Sequence, residues 1–211
     1  MHVKCMCHIP GSPEPGIIPV VYIYPDGPGF PAIRSICIVH METAKNSSVP
    51  EETPQRRIIR DRAVVGDFLA TLAENATREI VIFAPRPDGE FFNSARFARA
   101  LASFAARHRQ NLARIVVENT EQALRDNDRL VGLCRRLSDF IHMHQVAEEH
   151  LGIREMFMVV DHRGYLHQQD SDKPDCVAHP RDGHEAVLLT RRFNELWDRS
   201  EPIVALRAAG L

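Results

Sequence analysis

Three histidines in this sequence stand where they could carry acid–base chemistry, which needs a group that titrates near neutral pH. His142 and His144 lie two residues apart in the segment 139–146, whose alternating pattern predicts a strand, so their side chains point to one face. His162 follows a second predicted strand at 155–161. An enzyme that uses one of these three histidines is therefore one function that the sequence leaves open.

A second group of residues has the types that zinc prefers. They are His142 and His144 on their predicted strand, and Cys176, His179 and His184 in one polar segment. Cys176 and His179 have Cys-x-x-His spacing. No second pair of cysteines or histidines at ligand spacing completes a tetrahedral set. The sequence also lacks a glycine-rich phosphate loop and a Gly-x-Ser-x-Gly motif. We therefore predict neither a metal centre nor a cofactor.

Three arginines are candidates for binding an anion. Arg135 and Arg136 fall in the last turn of a predicted helix, where a cation also stabilises the helix dipole without any ligand. With Arg154 they could instead form an anion pocket, because a guanidinium group matches phosphate with two parallel hydrogen bonds. Both interpretations stay open at this point.

Composition limits the class of protein. The 211 residues are 44% hydrophobic and 26% charged, which is typical of one globular domain with a substantial core. The formal net charge is −2, so only a local patch could attract nucleic acid or an anionic membrane. The five cysteines form no disulfide framework, and no apolar stretch reaches the ~20 residues of a membrane span. We expect a cytoplasmic protein without a membrane span.

The N-terminal part differs from the rest. Nine of the fourteen prolines lie before residue 60, and proline at this density disfavours regular structure. We expect residues 1–60 to be a disordered arm and residues 61–211 to be the folded domain. Met41 opens a polar stretch that resembles a bacterial protein start, so whether residues 1–40 are translated stays open.

From Arg62 onward, helical and strand patterns alternate, which predicts an α/β fold with a mixed sheet flanked by helices. We expect helices from Arg62, from Asn93 or Ser94, and from Asn119 or Thr120, and a last helix over 186–197 that Pro202 ends. Strands are expected at 79–84, 114–118 and 139–146. A hairpin is expected at 155–167, with Gly164 supplying the turn and a polar loop following over 168–183.

These elements, in this order, resemble an uncharacterised bacterial domain family that is known only as a domain of unknown function and is similar to the phospholipase D fold. The resemblance spans about residues 62–211. It rests on Leu133-Cys-Arg-Arg-Leu137, on the strand ending at Asp161 before Gly164, and on the tail from Phe193 to Pro202 with Leu206-Arg207. The family implies a fold and no activity.

Phospholipase D enzymes use a His-x-Lys-x-x-x-x-Asp motif, in which the imidazole attacks phosphorus and the lysine binds the phosphoryl oxygens. When Asp161 is placed on the motif's aspartate, Arg154 takes the histidine position and Met156 the lysine position. An arginine that stays protonated cannot attack phosphorus, and methionine carries no charge for the phosphate. The resemblance therefore implies a degenerate site without a catalytic residue. For Asp161 the sequence favours an acidic turn residue that opens Asp-His-Arg-Gly, because aspartate is preferred at that turn position.

The function hypothesis is a non-catalytic phospholipase D-like domain that acts as a binding or regulatory module for an anionic or phosphorylated partner. Arg154, Arg135, Arg136 and Asp161 are its candidate anion-binding residues. Two alternatives remain. One is the histidine-based enzyme, and the other is a structural subunit that forms a homodimer, as single-motif members of the broader superfamily do.

Overall fold

The computed structural model of this chain describes residues 55–206, and the predicted arm before residue 55, including Met41, lies outside the described residues, as does Arg207. Eight strands form one sheet: β1 (Arg57–Ile59), β2 (Glu79–Phe83), β3 (Leu112–Val117), β4 (Ile141–Gln145), β5 (Met156–Val160), β6 (Gly164–Gln168), β7 (Cys176–His179) and β8 (Glu201–Pro202). The predicted mixed α/β sheet is confirmed.

Six α-helices accompany the sheet: α1 (Arg62–Asn75), α2 (Gly89–Phe92), α3 (Ala95–Arg107), α4 (Thr120–Asp126), α5 (Asp128–Arg136) and α6 (Gly183–Trp197). Short 3₁₀ turns occupy Glu148–His150 and Val204–Leu206. Five of the six helices begin at a polar side chain that accepts a hydrogen bond from the first turn: Asp61, Asp88, Ser94, Asn119 and Asp182. No helix in residues 55–206 is long and apolar enough to cross a membrane.

The strand order is β1-β7-β6-β5-β2-β3-β4-β8. The neighbours β2, β3 and β4 are parallel, whereas β5 runs antiparallel to β2 and starts the antiparallel half with β6, β7 and β1. The ends of the strands therefore lie along two opposite borders of the sheet. We call the edge where β2, β3 and β4 begin the amino edge, and the edge where they end the carboxyl edge.

The two faces of the sheet are covered unequally. Helices α1 to α5 pack on one face through the larger core cluster, and α6 alone covers the other face. On α6 the inward residues are Ala186, Leu189, Phe193 and Leu196, as the helical spacing predicts, and Phe193 has no exposed surface. The helix ends at Trp197 rather than at Pro202, which instead lies in the edge strand β8.

The hairpin between β5 and β6 exists, but Gly164 does not supply its turn. Asp161 and His162 have φ values of 51° and 54°, and the N–H of Arg163 donates to the carbonyl of Val160 at 2.9 Å. Positive φ at both central residues is typical of tight hairpin turns, and asparagine and aspartate adopt this left-handed conformation more readily than most residues do. Gly164 is required for space, since a Cβ there would lie 2.9 Å from both the Leu72 side chain and the Pro180 carbonyl oxygen.

The Asp161 carboxylate ties this turn to the start of β2. Its two oxygens accept the backbone N–H groups of Thr77, Arg78 and Glu79 and the Thr77 hydroxyl, at 2.8 to 2.9 Å. Burial by itself raises the pKa of this carboxyl, but the four hydrogen bonds outweigh that effect and lower the pKa below its ordinary value. A single side chain thus joins the parallel half of the sheet to the antiparallel half.

Three predictions about elements were wrong, each because a tertiary contact overrides the local pattern. The helix expected from residue 119 or 120 is two helices, broken at Asn127, whose buried amide donates to the Pro87 carbonyl at 3.1 Å. The expected polar loop 168–183 contains strand β7, whose Cys176 and Ala178 are buried. Residues 57–59, which we assigned to the arm, form β1 and pair with β7.

The position of Phe193 predicts that this side chain holds α6 on the sheet. Phe193→Ala should lower the free energy of unfolding by about 3–5 kcal/mol, because it removes a fully buried aromatic ring. Chemical denaturation measures this change. Leu188→Ala on the same helix is the control, since Leu188 is 45% exposed and its loss should cost less than about 1 kcal/mol. Equal costs for the two variants would mean that α6 packs differently.

The Asp161 contacts predict a pH-dependent contribution to stability. Asp161→Asn should keep the turn conformation, but it replaces one carboxylate oxygen by an NH2 group. This group cannot accept the backbone N–H donors of residues 77–79, so the free energy of unfolding at pH 7 should fall by about 1–3 kcal/mol. Because folding depresses the carboxyl pKa, this stabilisation is present above the unfolded pKa of about 3.9 and is lost as the pH falls through the lower folded pKa.

The stability difference between the wild type and Asp161→Asn should therefore shrink between about pH 5 and pH 2. Asp139→Asn is the matched control, because Asp139 is exposed. A difference between wild type and Asp161→Asn that stays constant over this pH range would contradict the assigned role of the carboxylate.

Candidate functional site

A cleft of about 360 Å³ opens at the carboxyl edge of the sheet. Its floor is apolar and includes Met156 at the start of β5 and Phe91 and Phe92 of α2. At Gly89 a Cβ would lie 2.8 Å from the Asp126 carbonyl oxygen, so glycine allows α2 to approach α4 closely and to shape this wall. The cleft is thus built where β2 ends and β5 begins.

The rim of the cleft is polar. Arg86 follows β2, whereas Gln168 ends β6 and Ser171 follows it, so two separate chain segments form the rim. A smaller cleft of about 230 Å³ adjoins it and shares Gln168 and Ser171. Neither cleft is lined by a histidine, as far as residues 55–206 are concerned.

The charges in the larger cleft nearly balance. Each of its three carboxylates forms an ion pair with an arginine: Asp88 with Arg62, Asp126 with Arg125, and Asp172 with Arg154. Arg86 is exposed, and its guanidinium has no partner within the described part of the chain. Arg86 is therefore a cation of the cleft that no carboxylate of residues 55–206 neutralises.

Arg154 lies beside this cleft without lining it. Its guanidinium is held by Asp170 at 2.9 Å and by Asp172, and its carbonyl accepts the N–H of Ser171 at 2.7 Å. These contacts fix the loop that follows β6 against the start of β5. In this structure Arg154 positions Asp172 and Ser171 on the cleft rim.

The four predicted anion-binding residues do not meet at one place. Arg154 is at the carboxyl edge, whereas Asp161 ends β5 at the amino edge, about 17 Å from Met156 along the strand at 3.3 Å per residue. Arg135 and Arg136 end α5, also towards the amino edge, and donate to the carbonyls of Ala205 and Gly132. Anion binding by these four residues stays a prediction, and a single pocket that contains all four is not formed.

His144 lies on β4 under α6. Its Nδ1 is 2.9 Å from the Ser200 hydroxyl, and its ring stacks on Trp197 at 3.9 Å between centroids. The Ser200 hydroxyl donates its hydrogen to the Trp197 carbonyl at 2.7 Å, so Nδ1 of His144 is the donor and Ser200 is not deprotonated by it. Burial, and then the charge of His142, lowers the pKa of His144 to about 4. His144 is therefore a neutral, structural side chain at pH 7.

His162 has an acidic partner but lines neither of the two clefts. Its Nε2 is 3.2 Å from a Glu79 carboxylate oxygen, and its Nδ1 is 3.2 Å from the Thr190 hydroxyl. Glu79 also accepts a hydrogen bond from Arg114 at 2.7 Å, so the three side chains link the turn, β2 and β3 beneath α6. This network connects elements and faces neither cleft.

A buried ionic group on the α6 face was missed by sequence analysis. Glu155 lies 3.4 Å from the buried His167 and 3.2 Å from Arg192 of α6. The neighbouring His167 imidazole makes the largest contribution to lowering the pKa of the Glu155 carboxyl. Sequence analysis missed Arg86 as well. Arg86 stands out because the neighbouring arginines Arg62 and Arg154 form ion pairs and Arg86 does not, and no local sequence pattern indicates which arginines are paired.

The candidate zinc residues are separated by the fold. Cys176 is buried on β7, near one end of the strand order, and His142 and His144 are on β4, near the other. Among residues 55–206, no group of three or more histidine, cysteine or acidic side chains could hold a metal ion.

Solved structures with a similar fold include proteins of the phospholipase D family and a DNA-binding protein. Nuc from Salmonella typhimurium, a phospholipase D family member, matches with a TM-score of 0.52 at 12% identity over 71% of this chain and 98% of that one. NucT from Helicobacter pylori matches with a TM-score of 0.51 at 9% identity over 71% and 99%. TrmBL2, an archaeal chromatin protein with a novel mode of DNA binding, matches with a TM-score of 0.55 at 12% identity over 74% and 57%.

At these identities the likeness is one of fold, and the chain spans just over half the length of TrmBL2. The predicted phospholipase D-like fold is confirmed. No curated protein sequence matches the chain. The family described as a domain of unknown function, DUF7931, matches residues 61–209, well over half of the chain. Together with the fold, this match means that the protein belongs to the DUF7931 family of unknown function.

Proposed function

We propose that this protein is a phospholipase D-like domain that binds an anionic or phosphorylated partner and does not hydrolyse phosphodiesters. The observation that carries the proposal is the composition of the cleft at the start of β5. Met156 lies in that cleft at the position that the family resemblance gives to lysine, and no histidine lines it in the part of the chain that the structure describes.

Arg154 and Met156 cannot supply the two groups that phosphodiester hydrolysis requires at their positions. Hydrolysis through a covalent intermediate needs a nucleophile that can shed its proton, and the guanidinium of Arg154 stays protonated in a protein. Arg154 is also engaged by Asp170 and Asp172. The transferring phosphoryl group needs a cation, and the thioether of Met156 supplies none. Both deficits support binding without turnover.

Binding of a single anionic group is supported by Arg86. Its guanidinium is exposed on the cleft rim and is not used by a carboxylate of the described residues. A guanidinium group binds phosphate oxygens in a bidentate way, and Ser171 can donate a further hydrogen bond from the opposite rim. The cytoplasmic location is part of the same proposal, and the unpaired cysteines Cys134 and Cys176 suit a reducing compartment.

The proposal predicts no detectable turnover of phosphodiesters. Purified protein should leave bis-p-nitrophenyl phosphate, phosphatidylcholine and single-stranded DNA intact, since the loss of one preorganised donor alone lowers such rates on the order of 10²–10³-fold. Release of p-nitrophenolate, choline analysis and gel electrophoresis measure this. Turnover that disappears in Asp172→Asn would show that the cleft is catalytic and would overturn the proposal.

The proposal also predicts weak binding of inorganic phosphate in the cleft, with a dissociation constant on the order of 1 mM. Chemical shifts of backbone amides around Met156 and Gln168 measure the binding. Arg86→Ala should weaken it at least about tenfold, because one charge-assisted contact is lost. The control is Arg191→Ala on α6, which removes the same charge on the other face. Equal weakening by both variants would mean that phosphate is not held at the cleft.

A further inference from the structure

Five loops come together along the amino edge of the sheet, at 76–78, 107–111, 135–140, 161–163 and 180–182. Backbone hydrogen bonds fix neighbouring loops to one another, for example from Leu112 N–H to the Arg78 carbonyl at 3.1 Å and from Asp161 N–H to the Glu79 carbonyl at 3.0 Å. The Pro180 carbonyl lies within 2.9 Å of the position of a Cβ on Gly164. The loops therefore form one continuous edge.

This edge is rich in exposed arginine. Arg78, Arg109, Arg163 and Arg181 are exposed, and their guanidinium groups have no partner within residues 55–206. Three further exposed arginines donate only to uncharged backbone carbonyls, which leaves their charge uncompensated: Arg107 to Glu74, Arg135 to Ala205 and Arg136 to Gly132. The five loops thus carry seven arginines among their residues.

Few negative charges oppose these arginines. The acidic residues of the five loops are Asp139, Asp161 and Asp182. Asp161 is saturated by four hydrogen bonds, and Asp182 caps α6 by accepting from the N–H of His184 at 3.1 Å. The whole chain has a formal net charge of −2, so the positive charge is segregated to this edge rather than general.

The arginines also lie in a row. Following the strand order from β7 to β4, the edge presents in turn Arg181, Arg163, Arg78, Arg109 and Arg136. Six neighbouring strands at about 4.8 Å spacing place the ends of this row about 24 Å apart. That is roughly the length of seven base pairs at 3.4 Å per pair.

We propose that the amino edge binds the phosphate backbone of double-stranded nucleic acid without sequence selectivity. Exposed arginines in a row match a periodic line of phosphates, and each guanidinium can contact two oxygens of one phosphate. This inference goes beyond the proposed function, which concerns the cleft. It rests on the arginine row alone, and that row is at the opposite edge of the sheet from the cleft.

The edge fits nucleic acid better than an anionic membrane. Surface binding to lipid usually combines cations with apolar side chains that enter the bilayer. The large exposed apolar residues of the described chain lie outside the five loops: Ile58, Val64, Leu151, Val187, Leu188 and Val204. The five loops therefore offer charge without an inserting group.

The test uses the full chain and a fluorescein-labelled 20-base-pair duplex, with fluorescence anisotropy at several salt concentrations. We expect saturable binding at 50 mM salt and a log–log salt slope of about −4, since each phosphate contact contributes about −0.9. Arg78→Ala, Arg109→Ala and Arg163→Ala combined should weaken binding at least tenfold and reduce the slope by about 3. These side chains have no partners within residues 55–206, so the fold should persist.

The matched control combines Arg99→Ala, Arg129→Ala and Arg191→Ala, which removes three exposed charges away from both the amino edge and the cleft and should change the affinity less than about threefold. Absence of binding at 50 mM salt, or equal weakening by the two triple variants, would overturn the inference. Tighter binding to phosphatidylserine vesicles than to the duplex would assign the edge to membranes instead. If the single variant Arg86→Ala abolished duplex binding, the nucleic acid would lie in the cleft. If inorganic phosphate did not bind in the cleft but the duplex still bound, the proposed function would be contradicted and the inference about the amino edge would stand.

Discussion

The Asp161 carboxylate joins the two halves of the sheet through its contacts with residues 77–79. Here the parallel strands meet the antiparallel strands, because β2 and β5 are neighbours of opposite direction. Three N–H groups and one hydroxyl converge on two oxygens, which fixes the register of β5 against β2. That register puts Met156 in the cleft at one edge and the turn of His162 and Arg163 at the other.

The two edges differ in how their charges are arranged. At the carboxyl edge each acidic residue of the cleft has its own arginine, so the surface is nearly neutral and apart from Arg86 offers little for a polyanion. At the amino edge the arginines have no acidic partners within the described residues. An anion can therefore bind where arginines have no carboxylate partner, and a count of arginines by itself does not identify that place.

Much of the fold follows from the sequence because local periodicity and capping residues act over short distances. Ser94 caps its helix and Phe193 faces the core as their spacing predicts. Asn127 and strand β7 were missed, since a buried amide that meets Pro87 and a short strand that pairs across the sheet depend on distant residues. Asp161 was recognisable as a turn residue, but its partners at 77–79 are more than eighty residues away.

The central claim is that this phospholipase D-like domain binds phosphate groups without cleaving them. The most direct measurement is the length of a labelled duplex that has been held in complex with the protein overnight and then recovered for denaturing electrophoresis. We expect the duplex to migrate as a complex on a native gel and its recovered strands to keep their full length on the denaturing gel. Recovery of shortened strands, with the shortening absent in Asp172→Asn, would contradict it.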